Sequence, residues 1–280
     1  MTFIVHGATG AQGGPVAAAL ARAGRSVTAA VRTPQSYDGD AVAVDYADPG
    51  TLAAAYRGAE GVFVHLPLGT PEQQLAHARA IVQGVEDGRP GRVVVSTSGY
   101  PFAEDGTDDG PVSVLVRGLR GSGVPTAVIA PRLYLENLLL PPVTASAREH
   151  GVLPYPLRTD YPVSWSSHLD VADVAVRLLD DLAPTGTVAV GALPGLLGAD
   201  LATGFAEHLG RDVRFEAQDP DDFGTAVAPI FGAEAIAPVV ASYHWRATQP
   251  GDVIAREDSA QERLGLQPRT VAQWLRDVGA

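Results

Sequence analysis

The sequence predicts an α/β protein: a doubly wound parallel sheet followed by a smaller C-terminal substrate lobe. Three observations carry that prediction. Short β-branched runs alternate with Ala- and Leu-rich segments of helical length. Runs such as Val62-Phe63-Val64 and Val93-Val94-Val95 are apolar at successive positions, as a parallel sheet covered on both faces requires. A glycine-rich turn, Gly7–Gly13, stands between the first strand and the first helix.

The first strand is read over Thr2–His6 and the first helix over Gln12–Arg22, with Pro15 in the first turn, where its missing N–H costs nothing. Strands Ser26–Val31 and Ala41–Val44 follow, then a helix over Thr51–Tyr56, a strand over Val62–Leu66, a helix over Pro71–Glu86 and a strand over Arg92–Ser96. A helix within Gly110–Gly121 and the strand Thr126–Ala130 continue the alternation. Beyond Pro131 the pattern loosens, because Pro141-Pro142, Pro154, Pro156 and Pro162 break the regular units. Asp170–Leu182, Ala199–Leu209 and Arg269–Val278 still read as helices, and Thr187–Val190 and Val213–Glu216 as strands. A length of 280 residues suits two lobes, at about 150 residues per domain.

Composition removes several chemistries. The chain has no cysteine, so disulfide frameworks, thiolate catalysis and Cys-ligated metal sites are excluded. All 20 basic residues are arginine. Without lysine there is no P-loop amine, no Schiff base, and no lysine to assist a catalytic tyrosine. A net charge of −12 argues against a broad phosphate-binding face, so nucleic acid is not an expected partner. No charged leader or cleavable apolar segment precedes the first strand, and apolar runs stop well short of the roughly 20 residues a membrane span needs. The expectation is a soluble, cytoplasmic protein with no membrane partner.

Gly7-Ala8-Thr9-Gly10-Ala11-Gln12-Gly13 links strand to helix, where backbone amides and the helix N-terminus can hold a pyrophosphate. This is the setting of a Rossmann dinucleotide fingerprint, spaced G-x-x-G-x-x-G; the bland reading is a tight turn that needs positive φ. Gly7, Thr9, Gly10, Ala11, Gln12 and Gly13 are therefore candidate cofactor residues. The second strand ends in Val31-Arg32, about 20 residues on, where an acidic side chain would hold the ribose 2′-hydroxyl of NAD. A guanidinium there suits a 2′-phosphate, so NADP(H) is the expected cofactor, with a solvated loop arginine as the alternative. On this reading residues 1–131 form an NADP-binding Rossmann domain, and residues 132–280 a substrate-facing lobe with elements returning to the main sheet.

These residues point to a family. Gly7–Gly14, Val31-Arg32, Asp45-Tyr46-Ala47-Asp48-Pro49, Gly61–Val64, and Pro131 followed by Tyr134-Leu135-Glu136-Asn137 resemble the NmrA-like atypical short-chain dehydrogenase/reductases. Leu169–Ala175 and Leu209–Val213 are also similar, so the resemblance reaches to about residue 215. That family holds NADPH-dependent quinone reductases, other reductases and catalytically silent NADP-sensing regulators. The resemblance implies that Asp45 and Tyr46 border the adenine, that His65-Leu66-Pro67 line the nicotinamide ribose, and that Tyr134 and Asn137 face the nicotinamide. Leu66, Pro67, Ser96 and Pro131 stand at strand ends, where an open parallel sheet binds its ligand. Asp45 reads equally as a turn residue ahead of a helix, and Tyr134-Leu135 equally as a helix start.

Two departures bear on catalysis. The lysine of the Ser-Lys pair in many relatives falls at Val112, and Ala130 stands where an arginine usually precedes Pro131. Reduction of an unactivated ketone builds an alkoxide that needs a nearby donor, whereas a quinone or conjugated enone delocalises the charge and takes its proton from water. Tyr100, just after Ser96-Thr97-Ser98-Gly99, is the leading donor candidate, with Ser98 orienting it or a substrate oxygen. Tyr100 reads equally as a loop tyrosine on the cofactor edge. His65 either contacts substrate or is satisfied by backbone at its strand end, His6 reads as structural, and Asp170 as a helix N-cap. The seven histidines are scattered without metal-ligand spacing.

Two functions compete. One is an NADPH-dependent reductase of a quinone, enone or polycyclic aromatic carbonyl that works without a Tyr-Lys dyad, with Phe223, Phe231, Tyr243 and Trp245 available to line a flat apolar pocket. The other is a silent NADP(H)-sensing regulator that binds a protein partner. A small apolar molecule is the expected substrate, and a homodimer is left open.

Overall fold

A computed structural model describes residues 2–183 and 185–280. Among the described residues the strands are β1 (Phe3–His6), β2 (Val27–Val31), β3 (Ala41–Ala43), β4 (Gly61–Val64), β5 (Val93–Ser96), β6 (Thr126–Pro131), β7 (Val152–Tyr155), β8 (Gly186–Val190) and β9 (Arg214–Ala217). Seven form one parallel sheet in the order β3-β2-β1-β4-β5-β6-β8. The order reverses between β1 and β4, which is the switch point where a doubly wound sheet opens a crevice at the carboxyl ends of its strands. The chain divides into two compact units, one comprising Met1–Pro131, His168–Val190 and Glu257–Leu266, the other the remaining segments.

The first unit contains the large sheet. Val62, Phe63, Val64, Val93, Val94 and Val95 are fully buried, as their unbroken apolar pattern demands. Helices Gly13–Arg22, Pro49–Tyr56, Pro71–Gly88, Pro111–Gly121 and His168–Asp180 clothe it. Leu52, Tyr56, Ile81, Val85, Leu115 and Val116 pack into the core that includes Val62 and Val93. Local chemistry sets the helix starts: Thr70 and Gln73 form a reciprocal capping box, Asp48 caps the Gly50 amide, and Pro49, Pro71 and Pro111 occupy first helical positions. Two elements differ from the sequence expectation. β4 ends at Val64, so His65-Leu66-Pro67 leave the sheet rather than extend it. Asp170 does not cap its helix; that helix opens at His168, and Asp170 lies buried in the first turn.

The second unit pairs β7 with β9 in a two-stranded parallel sheet, Val152 against Arg214 through Tyr155 against Ala217. Prolines read as breaks are built in. Pro154 lies inside β7, tolerated because each strand of a two-stranded sheet is an edge. Pro141-Pro142 open the helix Pro141–His150. Pro220–Phe231 and Ala233–Ala247 form two more helices. Tyr155, Trp165, Phe223 and Tyr243 cluster, with the rings of Trp165, Phe223 and Tyr243 centred 5.4–5.7 Å from that of Tyr155. The Tyr155 and Tyr243 hydroxyls bond to each other. The four aromatics expected to share a pocket are therefore separated, Phe223 and Tyr243 being core residues and Phe231 and Trp245 exposed. Among the described residues no helix is long and apolar enough to cross a membrane.

Candidate functional site

The glycine turn begins where β1 ends. Gly7 takes φ +59, a left-handed value that favours glycine, and a side chain added there would stand 2.6 Å from His65 Nε2. A Cβ on Gly13 would run into the His6 and Gly7 backbone, so that glycine permits the helix to start against the strand. The turn is braced by Gly10 N–H donating to the Gly7 carbonyl at 2.8 Å and Gly14 N–H to that of Gly10 at 3.0 Å. Among the described residues the N–H groups of Thr9, Ala11, Gln12 and Gly13 have no hydrogen-bond acceptor. Partnerless amides at a helix N-terminus are what a pyrophosphate requires, and no Cβ intrudes at Gly10 or Gly13. The residues present fit a dinucleotide.

Arg32 follows the last residue of β2, exposed, and no carboxylate or carbonyl among the described residues takes its charge. Asp45, also exposed, turns one carboxylate oxygen back to the Ala47 amide at 2.9 Å. Tyr46 lies underneath. It is 9% exposed; its hydroxyl donates to the Ala30 carbonyl at 2.9 Å and accepts the Gly7 amide at 3.3 Å. Burial raises its pKa, opposed by the Gly7 amide and the Arg32 guanidinium. Tyr46 thus joins the start of the glycine turn to β2 through the hydroxyl.

Histidines gather below the turn. His6 shares a 2.7 Å hydrogen bond between its Nε2 and the Tyr56 hydroxyl, and its pKa is lowered to about 3 by burial and then by His65. His65 donates from Nδ1 to the Leu66 carbonyl at 3.2 Å, its pKa lowered by burial. His168, at the head of its helix, is lowered to about 4 by burial and by His65. These imidazoles are neutral at pH 7.

After β5 the chain turns sharply. Thr97 N–H bonds to the Ile129 carbonyl, and Tyr100 N–H closes onto the Thr97 carbonyl at 3.0 Å. Ser98 takes φ +56, one of two non-glycine residues with positive φ among those described. Its amide donates to Ser96 Oγ at 3.2 Å, and its Oγ accepts from Gln12 Nε2 at 3.1 Å. Tyr100 is 51% exposed, its hydroxyl unpartnered among the described residues. Val112, where the relatives' lysine would fall, is buried in the Pro111–Gly121 helix.

Gly7–Gly13, Arg32, Tyr46, His65-Leu66-Pro67, Ser96, Ser98, Tyr100 and Pro131 all belong to the first unit, at or just beyond the carboxyl ends of its strands. Tyr134 and Asn137 belong to the second unit, where burial pushes the Tyr155 hydroxyl pKa well up and the Asn137 side chain opposes that rise. Sequence reading missed the hydroxyl of Tyr46 as a tie to Gly7 and the side chain of Gln12 as a tie to Ser98. No local signal announces either, because each spans elements far apart in the chain.

Residues 7–113 match the NAD(P)H-binding family. The chain is 30% identical over 239 residues to a (4-alkanoyl-5-oxo-2,5-dihydrofuran-3-yl)methyl phosphate reductase of Streptomyces griseus, covering 80% of each chain. It is 28% identical over 240 residues to an NAD(P)H azoreductase of Xenophilus azovorans, covering 83% of this chain and 80% of that one. In fold it is similar to an NADPH-dependent quinone oxidoreductase of Escherichia coli solved with NADPH, with a TM-score of 0.76, 18% identity and full coverage of both chains.

Proposed function

We propose that this chain, which belongs to the NAD(P)H-binding, NmrA-like atypical short-chain dehydrogenase/reductases, is an NADPH-dependent reductase of a quinone, an enone or a polycyclic aromatic carbonyl. The observation that carries the reading is the open row of amides at Thr9, Ala11, Gln12 and Gly13 with the uncompensated Arg32 at the end of the neighbouring strand. The amides and the helix N-terminus bind the pyrophosphate. Arg32 takes the 2′-phosphate through its planar fork of donors, which sets the preference for NADP(H) over NAD(H). Bound NADPH supplies a hydride.

What the chain supplies on the acceptor side is spare. Val112 offers no amine, and among the described residues no group bonds to the Tyr100 hydroxyl. Ser98 offers one hydroxyl on a fixed turn. Such a site stabilises a developing alkoxide poorly, which favours acceptors that spread the charge and draw protons from water. The phosphate ester and azo compound in the two relatives' names are acceptors of the same activated kind, a conjugated lactone and an N=N bond. NADPH oxidation is to be followed with a panel of quinones, enones, azo compounds and simple ketones. Turnover of activated acceptors with little on ketones supports the reading. Tight NADP(H) binding with no turnover anywhere would place the chain with the silent sensors of its family.

A further inference from the structure

Gln12 is the N-cap residue of the first helix and is 8% exposed. Its own amide is one of the open donors of the turn, while its side chain crosses to the loop after β5, where Nε2 donates to Ser98 Oγ at 3.1 Å. Ser98 is held from the other side as well, through its amide on Ser96 Oγ at 3.2 Å. The conformation so fixed is costly for a residue with a Cβ, and φ +56 persists only where the surroundings over-determine it. Because Nε2 donates to Oγ, the Ser98 hydroxyl proton points away from Gln12 and is available to an acceptor. Gln12 Oε1 is buried with no partner among the described residues, an acceptor left open beside the glycine turn.

We propose that Gln12 is a positioning residue that ties the Ser98 loop to the phosphate turn, so that filling the turn with a dinucleotide fixes the loop that meets the acceptor and aims the Ser98 hydroxyl. The inference rests on the proposed NADP(H) binding and extends it to the chain's own coupling. One residue then serves both ends of the site: its backbone faces the phosphates and its carboxamide faces the reacting end. Ser98 Oγ cannot keep its orientation when that donor is lost, since no other group bonds to the oxygen among the described residues.

The test compares the full chain with its Gln12→Met and Ser98→Ala variants by amide hydrogen exchange, with and without NADP⁺, alongside calorimetric NADP⁺ affinity. In the parent chain NADP⁺ slows exchange at Thr9–Gly13 and at Ser98–Tyr100. In Gln12→Met the turn remains protected and NADP⁺ affinity stays within about threefold, while protection at Ser98–Tyr100 is lost. With any accepted quinone, kcat falls about tenfold in each single variant and no further in the double variant, because one hydrogen bond is removed once. Protection at Ser98–Tyr100 that is as strong in Gln12→Met as in the parent, or losses in kcat that multiply, overturn the proposal. Absence of protection at Thr9–Gly13 in the parent would instead overturn the cofactor reading itself. Gln12→Glu, which holds the side-chain length, guards against a variant that fails to fold: its carboxylate accepts from Ser98, keeping the loop protected while the hydroxyl proton is withdrawn and kcat falls.

Discussion

Tyr46→Phe separates two roles for one side chain. If the ring served only as a face beside the adenine, phenylalanine would replace it without loss. The structure gives the hydroxyl the work: it donates to the Ala30 carbonyl at 2.9 Å and accepts from the Gly7 amide at 3.3 Å, on a side chain only 9% exposed. Removing the oxygen orphans one fully buried carbonyl and one amide in a half-buried turn. A buried group stripped of its partner costs about 1–3 kcal/mol, and the turn amide recovers part of its share from water, so a net loss of about 1–2 kcal/mol is expected. For chains of this size class that corresponds to a fall in Tm of roughly 2–8 °C, at about 2–4 °C per kcal/mol. The cofactor-free chain should show it in a melting curve, before any nucleotide is added. NADP(H) affinity should fall several-fold too, because Gly7 opens the phosphate turn. An unchanged melting curve for Tyr46→Phe would refute the assignment of the hydroxyl to the turn.

Three other perturbations test different parts of the site. Arg32→Asp should weaken NADP(H) binding at least tenfold while sparing or improving NAD(H), since a carboxylate suits a 2′-hydroxyl and repels a 2′-phosphate; equal loss of both, measured by calorimetry, would contradict the phosphate assignment. Tyr100→Phe should slow quinone reduction less than about tenfold, whereas a loss above about 10³-fold would make the tyrosine a true general acid. The pH dependence of stability follows from His6 and His168, whose pKa values in the fold, about 3 and about 4, lie below the ordinary 6.5. Above 6.5 both are neutral in either state and their burial costs nothing further; as pH falls below 6.5 the unfolded chain gains protons that the folded chain refuses. Stability should therefore drop by about 1.4 kcal/mol per histidine for each pH unit toward about 5. A urea midpoint that stays flat over that interval would remove these histidines from the folded interior.

The parts of the site legible in the sequence were those set by neighbours in the chain. Gly7 and Gly13 announce a turn because neither can carry a side chain, and Arg32 is read from its place after β2. Apolar runs such as Val93-Val94-Val95 mark buried parallel strands, while the order β3-β2-β1-β4-β5-β6-β8 is set by packing that no local pattern announces. Proline misled, because its missing N–H is a break inside a helix but no loss at a first helical turn or an edge strand: Pro141 opens a helix, and Pro154 lies within β7. Likewise the apolar count could not tell Phe223 and Tyr243, which are core, from Phe231 and Trp245, which are exposed.

The contacts that escaped the sequence share a geometry. Tyr46 meets Gly7 across 39 positions and Gln12 meets Ser98 across 86, each because parallel pairing brings strand ends to one edge. β1 sits between β2 and β4, β3 pairs with β2 and β5 with β4, so the loops after β1 to β5 all emerge along the same border. A parallel sheet thus makes neighbours of loops whose residues show no periodic or motif relationship, and polar side chains in those loops can satisfy one another. The glycine fingerprint is legible in the sequence because it is a property of backbone alone. What holds the fingerprint in shape and ties it to the loop after β5 is a tyrosine hydroxyl and a glutamine carboxamide, whose partners are defined only once strand order and register are in place.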